Sequence, residues 1–271
     1  MRRFSLFNAV SIALGFAFLY IPILLLVIYS FNASRSVAVW AGWSTKWYGE
    51  MIKDQQLMDA AWVTLRIGLL SATIATILGT LTAIVLVRYG RFPGSTLFSG
   101  MTYAPLVMPE IITGLALLLL FVAINFDRGF WTILIAHISF TMCFAAVVVQ
   151  SRLVTFDRSL EEAAYDLGCP PFKTFMVITL PIIAPAVISA WMLAFTLSID
   201  DLVISSFTTG PGATTLPMRI YSDVRLGVSP KINAVSTVVI AVVTVAVIIA
   251  SIVTKISEER REKEMRMATA Q

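Results

Sequence analysis

Charge is scarce in this 271-residue chain. Asp, Glu, Lys and Arg make up 13% of it, about half of what a soluble domain carries. With 58% hydrophobic residues and a mean hydropathy of +0.86, that shortage excludes an ordinary soluble fold and points to an integral membrane protein. His137 is the single histidine, and there are two cysteines. Cys143 lies in an apolar run and Cys169 in a polar segment, so neither a disulfide nor a Cys/His metal site is expected. No Gly-x-x-x-x-Gly-Lys-[Ser/Thr] phosphate loop occurs, which argues against ATP hydrolysis by this chain. No histidine is placed for a nucleophile–base pair, so no hydrolase is expected. Net charge is +4, but the basic residues are scattered over loops and tails, and nucleic acid is not a predicted partner.

What is present is long apolar runs. A bilayer core needs about 20 such residues in helix. Six stretches qualify, at about 8–31, 62–87, 97–124, 129–150, 182–208 and 233–255. The prediction is an all-α membrane protein, one domain over 1–271, with both termini on one side. The first run is too long for a signal-peptide core. Arg2 and Arg3 before it read as a cytoplasmic anchor rather than a twin-arginine signal. The N-terminus, 88–96, 151–181 and the C-tail together hold twelve Lys and Arg, against seven in the other loops, with Arg66 inside a span. The positive-inside rule places the first set, and both termini, in the cytoplasm.

Two polar regions have bland readings. Trp40, Trp43, Trp47 and Tyr48 in the first outer loop suit an interfacial aromatic belt, with docking of an outside partner as the other reading. The C-tail 255–271 mixes five basic and four acidic residues and reads as a solvated helix end.

The cytoplasmic loop 151–181 is different. It contains "SLEEAAYDLGCPPFKTFMVITLP" at 159–181. Ser159 followed by Glu162 predicts a capping box. Leu160, Ala163, Ala164 and Leu167 then share a helical face. Gly168 is placed to end that helix in the left-handed conformation, and Pro170 and Pro171 to open a second one. Pro181 and Pro185 mark the start of the fifth span. The polar side carries Glu161, Glu162 and Asp166, which does not suit an anionic leaflet. The apolar face is therefore covered either by the chain's own spans or by a groove in a soluble partner.

Glu162-Ala163-Ala164, three residues, Gly168, nine residues, Ile178, one residue and Leu180-Pro181 resemble the EAA-type loop of ABC-importer permeases. In that family the loop is a coupling helix that inserts into a cleft on the ATP-hydrolysing subunit. The resemblance implies a coupling surface made by Ser159, Glu161, Glu162, Ala163, Ala164, Gly168, Ile178, Leu180 and Pro181. It extends over nearly the whole chain. "VIYSFN" at 27–32, "WAGWSTKWYGEM" at 40–51, "APLVMPEIITGLALLLLF" at 104–121 and "LSIDDLVISSFTTGPGATTLPMRIYSDVRLGVSPKINA" at 197–234 look like permeases of spermidine/putrescine importers, in particular the second of the two paired permeases. That implies the type I ABC-importer permease fold in a bacterial inner membrane. It also implies four kinds of partner: a second permease subunit in a heterodimer, two ATP-binding subunits carrying ATP and Mg, a periplasmic polyamine-binding protein at the outer loops, and lipid.

Three acids fall inside predicted spans: Glu110, Asp200 and Asp201. A charge at mid-bilayer costs roughly 3 kcal/mol or more and usually lines a water-filled path or meets a cation. Straight-helix geometry puts Glu110 about 20 Å and Asp200 about 27 Å into their spans. Arg66 is the candidate partner for one of the two aspartates. Adjacent residues point about 100° apart on a helix, so one can pair while the other faces a path. A diamine such as putrescine fits carboxylates at its ends and aromatic faces along its stem, and Tyr103, Trp191 and Phe195 are the nearby rings. Two functions follow: an importer permease driven by a partner's ATP, or a proton-coupled secondary transporter of organic cations using the acids as a relay. The loop at 159–181 favours the first.

Overall fold

Helix satisfies every backbone group within its own segment, as a lipid-facing chain requires. The computed structural model describes residues 6–36, 39–90, 92–227 and 229–269. Arg2, Arg3 and Arg91 lie outside the described residues. The helices are Leu6–Tyr29 (α1), Lys46–Lys53 (α2), Gln55–Arg88 (α3), Ser95–Val107 (α4), Glu110–Ala123 (α5), Phe130–Val154 (α6), Ser159–Asp166 (α7), Pro171–Thr174 (α8), Leu180–Ile199 (α9), Val203–Thr208 (α10), Leu216–Leu226 (α11) and Pro230–Thr269 (α12). A π-helical stretch, Phe175–Thr179, joins α8 to α9. The chain divides into two units, 1–58 with 220–271, and 59–219.

In the first unit, α1 and α2 both pack on α12. The apolar window of α1 has no buried residue. Lys231, near the start of α12, pairs with Asp54 just after α2. The loop from α1 to α2 is knotted around Asn32, which is fully buried. Its side chain accepts from the N–H of Ser34 and Ala41 and donates to the carbonyl of Val39 at 2.8 Å. Trp47, expected in an aromatic belt, instead turns inward. It is 5% exposed, and its indole N–H donates to the Asn32 carbonyl at 2.6 Å. Trp40 and Trp43 do remain exposed.

In the second unit, α6 is the central helix, with 61% of its apolar window buried. It packs on α9 through a core of Ala83, Ala145, Val149, Leu153, Ile183 and Ala190. Small residues let these backbones approach, which is how membrane helices gain packing energy. Gly79 on α3 is pressed against α6. A Cβ there would lie 2.8 Å from both the Ala145 Cβ and the Ala146 nitrogen.

Among the described residues, four helical segments are long and apolar enough to cross a membrane, and a bent pair makes a candidate fifth span. The expected third span, 97–124, is not straight. It is α4 and α5, bent by 118° between Val107 and Glu110. Pro109 cannot donate a backbone hydrogen bond, and the chain turns there, so the straight-helix depth assigned to Glu110 does not apply. The fifth span also moves. One helical path runs Pro171–Ile199, not 182–208. Pro181 removes an i→i−4 bond inside it, and the π-helical stretch just before absorbs the mismatch, with the Leu180 N–H reaching back to Phe175. The path ends at Asp200, and 203–208 form the separate α10, which packs on α5 and α6. The sixth expected span lies in α12, whose described apolar stretch is Pro230–Val245.

Candidate functional site

At one end of the 59–219 unit, the loop 155–170 is clasped to the end of α3. The Arg88 guanidinium donates to Glu161 at 2.8 Å and lies over the Phe156 ring. Arg158 donates to the Val87 carbonyl at 2.7 Å. Thr179 donates to the same Glu161 oxygen. Glu161 is thus spent inside the chain. The capping box expected of Ser159 and Glu162 does not form: α7 has Arg158 as N-cap and no side-chain cap bond. Asp157 takes that place, accepting from the Ser159 N–H at 3.0 Å. That N–H, with the Ser159 hydroxyl, holds the Asp157 carboxyl below the usual carboxylate range.

Gly168 ends α7 at φ 79°. Gly168 N–H bonds to the Tyr165 carbonyl and Cys169 N–H to the Ala164 carbonyl, the two bonds of a Schellman motif. Pro171 then opens α8 at its first position. Of the predicted apolar face, only Ala164 is buried; Leu160 is 47% and Leu167 89% exposed. Glu162 and Ala163 are exposed beside them. Ile178 and Leu180 pack inward on the core, while Pro181 sits in the first turn of α9. Beside α7 lies a cleft of about 480 Å³ lined by Leu81, Ile84, Tyr165, Phe172, Phe175 and Met176.

Deeper in the same unit, two helix breaks carry the acids. Glu110 is the first residue of α5, just past the 118° bend. Asp200 ends α9. Both are exposed, and the first turns of α5 pack against α10, just beyond Asp200, with Gly114 against Ile204 and Phe207. Asp201 points elsewhere. Its oxygens accept from the N–H of Ile204 at 3.1 Å and of Ser205 at 2.7 Å, capping α10. Its side-chain partner is not Arg66, which lies over the Trp62 ring. It is His137 of α6, whose Nε2 is 3.2 Å away.

His137 is 2% exposed and fully engaged. Its Nε2 also meets Ser205 Oγ at 3.0 Å, and Nδ1 meets Ser198 Oγ at 2.6 Å. Ser71 donates to Ser198 at 2.9 Å. A carboxylate can only accept, which makes Nε2 the donor toward Asp201. Ser198, His137 and Asp201 thus stand in a row, a set of contacts that the sequence alone does not suggest. Ser198 is only 3% exposed, so this hydroxyl is a buried tie rather than a nucleophile. Nothing in the sequence near His137 announces the network, because its partners come from α3, α9 and α10.

The three rings make local contacts. Tyr103 bonds Gln150 of α6 at 2.5 Å. Trp191 and Phe195 stack at 5.2 Å, and the Trp191 indole donates to Thr73 of α3.

Comparison with known proteins identifies the family. Residues 75–263 match the family described as binding-protein-dependent transport system inner membrane component. The chain is 54% identical over 270 residues to the putrescine transport system permease protein PotI of Escherichia coli (strain K12), covering 97% of this chain and 96% of that one. It is 44% identical over 240 residues to the spermidine/putrescine transport system permease protein PotC of the same strain, covering 89% and 90%. A crystal structure of a bacterial ABC transporter involved in import of the acidic polysaccharide alginate has the same fold, with TM-score 0.69 at 15% identity over 94% of this chain and 96% of that one. A helical chain with an outward-facing loop helix and acids at its broken helices thus falls, over most of its length, within one family: it belongs to the inner-membrane components of binding-protein-dependent transport systems, a transport permease and not an enzyme.

Proposed function

We propose that this chain is the second permease subunit of an ATP-driven importer that carries putrescine into a bacterial cytoplasm. The observation that carries the reading is the placement of two exposed carboxylates, Glu110 and Asp200, at two helix breaks brought together by the packing of α5 on α10. A dication matches such a pair, and irregular backbone at membrane depth is tolerated where it lines a cavity. The name of the relative PotI supports putrescine as the solute. Tyr103, Trp191 and Phe195 are proposed to border the path.

In this reading six spans cross the membrane with both termini in the cytoplasm, as the Lys and Arg distribution favours. Ser159, Glu161, Glu162, Ala163, Ala164, Gly168, Ile178, Leu180 and Pro181 form the coupling element. Leu160, Ala163 and Leu167, exposed here, enter a groove on an ATP-binding subunit, two copies of which carry ATP and Mg. A second permease completes the pore, and a periplasmic polyamine-binding protein docks at the outer loops. Membership of a binding-protein-dependent family leaves no support for the proton-coupled alternative.

The test is uptake of radiolabelled putrescine by the reconstituted complex. Glu110→Gln and Asp200→Asn should assemble at wild-type yield and lose roughly tenfold or more in uptake, since each removes an attraction worth on the order of 1.4 kcal/mol. Wild-type uptake by both variants would sink the reading.

A further inference from the structure

We propose that His137 is a positioning residue for translocation: by holding Asp201 as the cap of α10, it leaves Asp200 as the one acid of the adjacent pair that faces Glu110. The inference rests on the putrescine reading above and adds a residue that touches no substrate.

The geometry is specific. One imidazole on α6 reaches the last turn of α9 through Ser198, the break itself through Asp201, and α10 through Ser205. Through Ser198 it is also tied to Ser71 of α3. Four helical elements and the break therefore share one buried ring. Asp201 makes two backbone bonds that start α10, so its side chain is committed and cannot turn to a path. Because the two aspartates are consecutive, fixing Asp201 restrains the backbone from which Asp200 projects. Without the ring, the three-residue link 200–202 keeps its α10 cap but loses its anchor to α6. Asp200 is then free to swing away from Glu110, and a dication loses its second carboxylate.

A merely structural histidine would affect yield and stability alone. A positioning histidine affects apparent substrate affinity in complexes that still assemble. The full complex, purified with its partner subunits and reconstituted in vesicles, is assayed with radiolabelled putrescine for His137→Gln, His137→Leu, and His137→Leu combined with Asp201→Asn. His137→Gln keeps a donor for Asp201 but cannot span both Asp201 and Ser198. Its KM should rise roughly tenfold with kcat held within about threefold, the signature of lost binding rather than lost turnover. His137→Leu strands a buried carboxylate and should assemble poorly. Adding Asp201→Asn removes that charge and should restore yield but not KM; should His137→Gln also assemble poorly, this double variant alone decides. An unchanged KM in assembled His137→Gln overturns the proposal. So does recovery of both yield and KM in the double variant, which would make the ring a charge partner only. If the parent complex takes up no putrescine, the substrate reading fails first, and the proposal fails with it, before any variant is compared.

Discussion

Arg88, the last residue of α3, donates to Glu161 in the first turn of α7 at 2.8 Å, and each side chain is 14% exposed. A membrane-crossing helix is thereby bolted to the loop helix that is proposed to meet the ATP-binding subunit. The prediction is that movement of one passes to the other through this largely desolvated, charge-assisted bond. Arg88→Met should leave Glu161 buried with only Thr179 as partner, at a cost of about 1–3 kcal/mol. The expected outcome is a complex that hydrolyses ATP with little putrescine uptake per ATP. Glu161→Gln, which keeps the acceptor, should be milder. Equal coupling ratios in Arg88→Met and wild type would show that the bolt carries no motion.

Glu162 has a different fate from its neighbour. It is exposed, and no capping bond holds it to its own helix. Glu162→Lys should therefore leave the fold intact while reversing charge at the docking face. Pull-down of the ATP-binding subunit should fall roughly tenfold, on the scale of a lost interfacial charge contact, and Glu162→Gln should fall less. Undiminished capture by the Lys variant would exclude the outward acid from the interface.

Gly168 separates backbone strain from crowding. Its φ is 79°, and an added Cβ would meet no atom within 4 Å. Any defect on substitution is therefore conformational. Left-handed geometry costs a non-glycine residue roughly 1–2 kcal/mol, with Asn the most tolerant. Gly168→Asn should couple nearly as well as wild type, and Gly168→Val should uncouple ATP hydrolysis from uptake. A reversed order of the two variants would reject the turn as the cause.

Gly79 is the opposite case. A Cβ would lie 2.8 Å from the Ala146 backbone nitrogen and 2.9 Å from the Met142 carbonyl oxygen, and backbone cannot step aside like a flexible side chain. Gly79→Ala should cost about 1–3 kcal/mol by forcing α3 from α6, and Gly79→Leu should abolish recovery of folded protein. Thermal unfolding of the purified complex reads the first, and detergent-solubilised yield the second.

The sequence by itself determined the membrane class, the helical content, the Gly168 turn, the Pro171 helix start and, through the spacing from Glu162 to Pro181, the family. These are local signals. Hydropathy is summed residue by residue, and a turn is decided by the φ its own residue tolerates. Tertiary structure decided the rest. Asp201 was legible as an intramembrane acid, but its partner His137 lies 64 positions away, and no pattern along one helix reveals a neighbour on another. Arg66 was a candidate partner on charge alone; the tertiary structure puts the buried His137 ring there instead. Glu161 looked like an outward carboxylate until Arg88, 73 positions earlier, claimed it. The same holds for the bend before Glu110 and the break at Asp200. An apolar run records that a segment enters lipid, while its direction there depends on which backbone groups the neighbouring helices can satisfy.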